Sequence, residues 1–175
     1  MSPGGRLTSA LARRRVFLGF VAATAALVFA TPSWASWLAG FLTALVGEGI
    51  RIWAAGHLEK SREVTRSGPY RWTRHPLYAG SGVMTLGVVM AARSPIVAVL
   101  AALYIGATMS AAIRTEEAFL RRTFGDTYDR YRLSQAAPME RRFSLERAMR
   151  NREYRAVIGV VAGFALLAVK ILLPV

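Results

Sequence analysis

Five runs of apolar residues divide the chain, at about 16–31, 34–55, 76–92, 95–113 and 156–173, with polar, mostly basic segments between them. Each run approaches the ~20 residues that a helix needs to cross the hydrocarbon core of a bilayer. Only the second and the fifth contain an ionisable residue: Glu48 and Arg51 in one, Lys170 in the other. The pattern predicts an all-α integral membrane protein, with about five transmembrane helices in a single domain over residues 1–175. Short connections around Pro32 and at Arg93-Ser94-Pro95 predict antiparallel helical hairpins. Beyond the fourth run, Leu120, Phe124, Tyr128 and Tyr131 recur every three to four residues among charged neighbours. That period predicts an amphipathic helix over about 116–133, with Gly125 as a point of interruption.

Composition supports the membrane reading, since 54% of the 175 residues are hydrophobic and the mean hydropathy is +0.33. A net charge of +13 would suggest nucleic acid in a soluble protein, so the placement of the charge decides. Four basic residues precede the first run, six lie from Arg51 to Arg74, and eleven lie from Arg114 to Arg155. This is the positive-inside arrangement, which predicts a multi-pass protein with its N-terminus and both long loops cytoplasmic, and no nucleic-acid partner. Arg13 to Arg15, the apolar run after them and the small residues Ser33 and Ala35 also fit a secretory signal with its cleavage site. With no cysteine and only two histidines, disulfides, thiolate nucleophiles and a histidine-rich metal site are not expected. The arginine-dense stretch from Pro138 to Arg155 is expected to meet anionic headgroups before the last span.

The polar groups that call for an explanation lie at residues 68–80, Gly-Pro-Tyr-Arg-Trp-Thr-Arg-His-Pro-Leu-Tyr-Ala-Gly. Gly68-Pro69 reads as a turn, and His75-Pro76 as the last extended step before a helix, because proline fixes its own φ and biases its predecessor toward extended backbone. Arg74 and His75 then sit at a helix N-terminus, where free N–H groups and the dipole favour anions. Gly80, Gly82 and Gly87 follow on that helix and allow another backbone or a flat ligand to approach. Glu48 and Arg51, three apart, share a helix face and are expected to neutralise each other as a structural pair. His57 and Glu59 follow at the interface. At the end of the fourth run, Glu116 and Glu117 lie at the same depth as residues 74–78 if the two helices are antiparallel. That predicts a cleft with cationic and anionic walls, suited to a zwitterion.

Taken in order, Gly-Pro-Tyr, Arg-His-Pro-Leu-Tyr-Ala-Gly, Glu-Glu and Phe-Gly-Asp-Thr-Tyr-Asp-Arg-Tyr resemble the isoprenylcysteine carboxyl methyltransferase family and its phospholipid-methylating relatives, over about residues 45–132. The resemblance implies an integral membrane enzyme that uses S-adenosylmethionine to methylate a lipophilic or membrane-associated acceptor. Carried across residue by residue, it implies a cofactor shell of Tyr70, Arg74, His75, Pro76, Tyr78 and Gly80 with Glu116 and Glu117. Of these, Arg74, Glu116 and Glu117 are the expected catalytic residues. Arg74 would position an anionic group, a glutamate would bind the cofactor's ammonium or hydroxyls, and a glutamate or His75 could take a proton from an amine acceptor. Membrane lipids and a lipid or lipophilic small-molecule substrate are the implied partners, with no obligatory protein partner. The chain departs from the family in its ending, Leu-Ser-Gln-Ala-Ala-Pro followed by arginines and a further apolar run. A comparable arginine-histidine-proline-any-tyrosine segment occurs in membrane sterol reductases, which bind a reduced nicotinamide dinucleotide. That cofactor and a non-catalytic lipid-binding cleft are the rival readings.

Overall fold

The structure, a computed structural model, describes Gly19 and residues 21–173. Within these residues regular structure is entirely helical. Helix α1 covers 21–29 and ends before residues 30 and 31 of the expected first span, of which residues 16–18 and 20 lie outside the described residues. The chain continues through α2 (Trp34–His57), a 3-10 turn (Gly68–Arg71), α3 (Pro76–Ala92), α4 (Pro95–Phe124), α5 (Asp126–Arg132), α6 (Leu145–Arg150) and α7 (Tyr154–Leu172).

Three of these, α2, α4 and α7, are long and apolar enough to cross a membrane, while α3 is a shorter apolar helix of 17 residues. At 1.5 Å per residue α3 spans roughly 26 Å, close to the lower limit for a crossing. Five spans of equal standing were the expectation, so the agreement is partial. Leu103 on α4 and Ile158 and Val161 on α7 are more than half exposed, as a helix facing lipid requires.

The helix expected over 116–133 does not start afresh at 116. Instead α4 runs unbroken for 30 residues, because nothing between Arg114 and Phe124 interrupts it and Thr115 Oγ1 returns its hydrogen bond to Ala111 O at 2.8 Å. Some 45 Å of helix exceeds a bilayer core, so the last turns of α4 project beyond it. The break comes at Gly125, whose φ of 47° and ψ of −126° suit glycine, and α5 follows.

The hairpin turns form as the sequence predicts. Ser33 caps α2 in a capping box with Ser36, and Ser94 caps α4 by accepting from Val97 N at 3.4 Å. Helices α2 and α3 pack backbone to backbone. A Cβ placed on Gly47 or on Gly80 would lie 2.7 Å from the other's carbonyl oxygen, a separation real Cβ atoms do not adopt. Gly40 and Gly87 meet in the same way one level further along. Gly82, by contrast, faces open space. Beside this contact Trp37 stacks on Phe41 at 5.0 Å, Phe164 of α7 meets both rings edge-on, and Trp37 Nε1 donates to Phe164 O at 2.8 Å. Lys170, the lone charge of the last apolar run, donates to the terminal α1 carbonyls Leu27 O and Val28 O at 2.6 and 2.9 Å.

Two charged features differ from expectation. Arg51 lies 4.0 Å from Glu48, but its Nε is 2.6 Å from Glu153 at the start of α7, and its Nη1 donates to Leu77 O at 3.3 Å and to Ser81 Oγ. Both Glu48 oxygens are buried without a hydrogen-bond partner. Arg51 therefore lies between two carboxylates, Glu48 three residues away and Glu153 across 102 residues, and the close contact is with Glu153. Nor is the arginine-dense segment simply spread toward headgroups. Arg141, Arg147 and Asn151 turn inward onto the carbonyls of His57, Gly56, and Ala55 and Leu58 respectively, at 2.5 to 3.1 Å. The reason is the helix terminus itself, whose last carbonyls lack intrahelical partners and carry the negative end of the dipole.

Because Arg51 and Glu153 are both largely buried, removing one partner strands charge in a dry site. Arg51→Met is expected to lower unfolding stability in detergent by about 3–5 kcal/mol, and the double change to Arg51→Met, Glu153→Met by clearly less. A double variant as damaged as the sum of its singles would contradict the pairing.

Candidate active site

One end of the bundle gathers the C-termini of α2 and α4, the loop 58–75, the start of α3, and all of α5 and α6. Gly68 takes φ 55°, with its α-carbon against the buried His57 ring, and this left-handed residue starts the 3-10 turn that carries Pro69 and Tyr70. His57 itself is structural, its Nδ1 lying 3.1 Å from Ser67 Oγ. The chain then extends to His75, the N-cap of α3, with Pro76 at the first helical position.

Between these elements lies a cavity of about 590 Å³, within the range that holds small-molecule ligands. Of the residues singled out in the sequence, Tyr70, Arg74, His75, Pro76, Tyr78 and Glu116 line it. Gly80 does not, because its α-carbon is pressed against Gly47 and Arg51 of α2. Glu117 does not line it either, yet it organises the wall. Its Oε1 lies 3.0 Å from Arg74 Nη1 and 3.2 Å from His75 Nε2. The expected opposition of Arg74 to both glutamates thus resolves into a contact and a gap. Glu117 is the counter-ion of Arg74, and Glu116 faces the cavity with no ion pair among the described residues.

The hydrogen bond to Glu117 places a proton on His75 Nε2, which leaves Nδ1 buried, without a partner, in the cavity wall. Tyr131 Oη donates to Tyr70 O at 2.8 Å and so ties α5 to the 3-10 turn. Burial, and after it the Glu116 carboxylate, raise the Tyr70 hydroxyl far above its ordinary value. Burial, then Tyr128, push Tyr131 up to about 12. Both phenols are therefore neutral hydrogen-bonding groups at physiological pH.

Several lining groups escaped the sequence reading. The loop 58–65 supplies Lys60, Ser61, Glu63 and Thr65, which nothing in their local pattern marks. Thr108, Ala112, Thr115 and Phe119 form a face of α4. Their three- to four-residue spacing, with small and hydroxyl side chains inside an apolar helix, was a usable signal. Tyr128 and Tyr131 were assigned to an amphipathic stripe and instead close the cavity. A second crevice, about 380 Å³, lies between α3 and α4 and shares Tyr78, Thr108 and Ala112 with the first.

An all-helical bundle, among the described residues, with membrane-length helices and a largely apolar cavity bordered by charged side chains defines the class as a membrane protein with a cavity of small-molecule size. More particularly, residues 48–127 match the model of the phospholipid methyltransferase family, which upholds for that segment the resemblance carried by the motifs. The chain is 33% identical over 86 residues to the protein-S-isoprenylcysteine O-methyltransferase of Schizosaccharomyces pombe, covering 49% of this chain and 36% of that protein. It is 31% identical over 104 residues to a probable protein-S-isoprenylcysteine O-methyltransferase of Oryza sativa, covering 53% and 54%. It is also 33% identical over 119 residues to the cobalt-zinc-cadmium resistance protein CzcN of Cupriavidus metallidurans, covering 63% and 54%. The chain thus spans about half or less of the length of these relatives. No solved structure matches it.

The raised phenol of Tyr131 has a consequence for stability. Between its unfolded value of 10.0 and its folded value of about 12 the unfolded chain binds fewer protons than the folded one, so stability falls as pH rises through that window. Melting temperatures in detergent should decline from pH 9.5 to 11.5 (roughly the window that linkage sets), and less steeply in Tyr131→Phe. Equal slopes would show that Tyr131 ionises freely in the fold.

Proposed function

We propose that the cavity binds S-adenosylmethionine and that the protein transfers the cofactor's methyl group to a lipophilic or membrane-associated acceptor, a carboxylate, amine or thiol, at the cytoplasmic face. The observation that carries this reading is Glu116, a carboxylate with no ion pair among the described residues, which lines the same cavity as Arg74 inside the segment that matches a methyltransferase family. The donor set fits the group. A zwitterion that also bears a sulfonium needs an anion for its cationic end and a cation for its carboxylate, and both are present.

When bound, the cofactor supplies an electrophilic methyl carbon on sulfur. The protein's own residues hold and align. Glu116 receives the positive end, and Arg74, kept in place by Glu117, meets an anionic group of cofactor or acceptor. Tyr70 offers a neutral hydroxyl, and the apolar face of α4 excludes water, so that opposite charges that cancel on transfer do so in a dry space. Where the acceptor is an amine, Glu116 or His75, both lining the cavity, is the side chain that takes its proton. The crevice between α3 and α4 gives an apolar acceptor a lateral route that joins the cavity at Tyr78. Glu117 acts in this scheme as a positioning residue.

Calorimetric titration of the purified protein tests the site. Glu116→Gln should weaken adenosylmethionine binding about tenfold to a hundredfold, the cost of one charge-assisted contact, with folded yield unchanged. Arg122→Ala, an exposed residue that does not line the cavity, should bind as wild type does. Unchanged affinity in Glu116→Gln, or binding of reduced nicotinamide dinucleotide in its place, would refute the assignment.

Orientation is tested separately. In a chain without cysteine, single cysteines at positions 62 and 142 should resist a membrane-impermeant thiol reagent in intact cells and react once the cells are opened. Labelling from outside would reverse the topology.

A further inference from the structure

We propose that Arg141 and Arg147 are positioning residues for the cavity: the segment 139–151 clamps the loop 58–66, which forms one wall, and thereby governs the affinity of a site it does not touch. The proposal rests on the reading of that cavity as the adenosylmethionine site.

The wall in question has no regular structure of its own. Residues 58–65 contribute Leu58, Lys60, Ser61, Glu63, Val64 and Thr65 to the cavity, through a turn in which Ser61 adopts φ 61°. Internal support is slight: Glu59 N donates to Thr65 Oγ1 and Arg62 N to Glu59 O, both at 3.3 Å, Thr65 Oγ1 donates to Glu63 Oε1 at 3.5 Å, and the exposed Arg62 side chain approaches Glu59 Oε2 at 3.9 Å. A loop of this kind holds its shape only if something outside it does the holding.

The loop carries two carboxylates, and arginines from one later segment take both. Arg141 grips Glu63 with a two-pronged contact, Nη1 to Oε1 at 2.6 Å and Nη2 to Oε2 at 2.8 Å. Arg147 Nε meets Glu59 Oε1 at 2.8 Å, and Arg150 Nη2 approaches the same oxygen at 3.4 Å. The Arg147 hydrogen bond, above all, holds the Glu59 carboxyl below its ordinary range. Each of the two main arginines has a second hold on rigid ground, Arg141 on His57 O at 3.1 Å and Arg147 on Gly56 O at 2.5 Å. One guanidinium therefore bridges the end of α2 and the loop, a task the planar fork of arginine performs and a lysine cannot reproduce. Two further bonds extend the clamp: Met139 N donates to Arg66 O, and the Arg71 side chain donates through Nη2 to Met139 O, both at 3.4 Å. Arg141, Arg147 and Arg150 do not line the cavity, so an effect of theirs on binding must pass through the loop. They also lie beyond the segment that matches the family, residues 48–127, so the clamp belongs to the part of the chain where family resemblance ends.

Hydrogen exchange and calorimetric titration of the full chain in lipid nanodiscs test this together, in wild type, Arg141→Gln, Arg141→Lys and Glu59→Gln, where Glu59 also does not line the cavity. Exchange in peptides covering 58–66 should quicken in Arg141→Gln and Glu59→Gln while α2 around residues 40–50 keeps its protection. Adenosylmethionine affinity should fall about tenfold in Arg141→Gln, with Arg141→Lys intermediate. A loosened loop with wild-type affinity, or a loop that exchanges no faster in either variant, would overturn the clamp. If wild type binds no adenosylmethionine, the cofactor reading falls, and the exchange data still judge whether the arginines hold the wall.

Discussion

The Arg51 guanidinium is the point on which the rest of the structure depends. It enters from α2, pairs with Glu153 at the start of α7, donates to the Leu77 carbonyl and Ser81 hydroxyl of α3, and forms part of the cavity lining. A charge in an apolar bundle is tolerated only when its donors are satisfied, so these three partners fix where three helices stand relative to one another. The close glycine contacts of α2 and α3 then bring the start of α3 level with the end of α4. The cavity follows from that registration.

On this frame the cavity is assembled from the start of α3, the loop before it, α5 and a face of α4 that runs from Thr108 to Leu120. Helix α4 outruns the bilayer and carries Glu116 and Glu117 clear of its apolar part, while Pro76 ends the loop and begins α3 beside them. The two glutamates, adjacent in sequence, point to different tasks because successive helix positions are about 100° apart. One pairs with Arg74 and accepts a hydrogen bond from His75, and the other faces the cavity. Under the proposed function, a water-soluble cofactor and a membrane-held acceptor would reach such a site from different sides.

Much of this could be read from the residues alone, wherever the determining forces are local. The start of α3 at Pro76, the turn at Arg93-Ser94-Pro95, the break at Gly125 and the juxtaposition of residues 74–78 with 114–117 depend on proline and glycine geometry and on helix direction. What escaped depends on long-range partners. Glu48 was a plausible partner for Arg51 at three residues' distance, but Glu153 lies 102 residues away and wins on geometry. Arg141 and Arg147 looked like headgroup contacts because their carboxylate and carbonyl partners stand 78 to 91 residues earlier in the chain. Gly80 lies inside the motif, yet helix packing accounts for it.

The most direct test of the central claim is photo-crosslinking of the intact protein with labelled S-adenosylmethionine, followed by mapping of the labelled peptides. The account predicts label on peptides from residues 58–78 and 108–131, suppressed by excess unlabelled cofactor. Label confined to other segments, or label that excess cofactor does not displace, would contradict it.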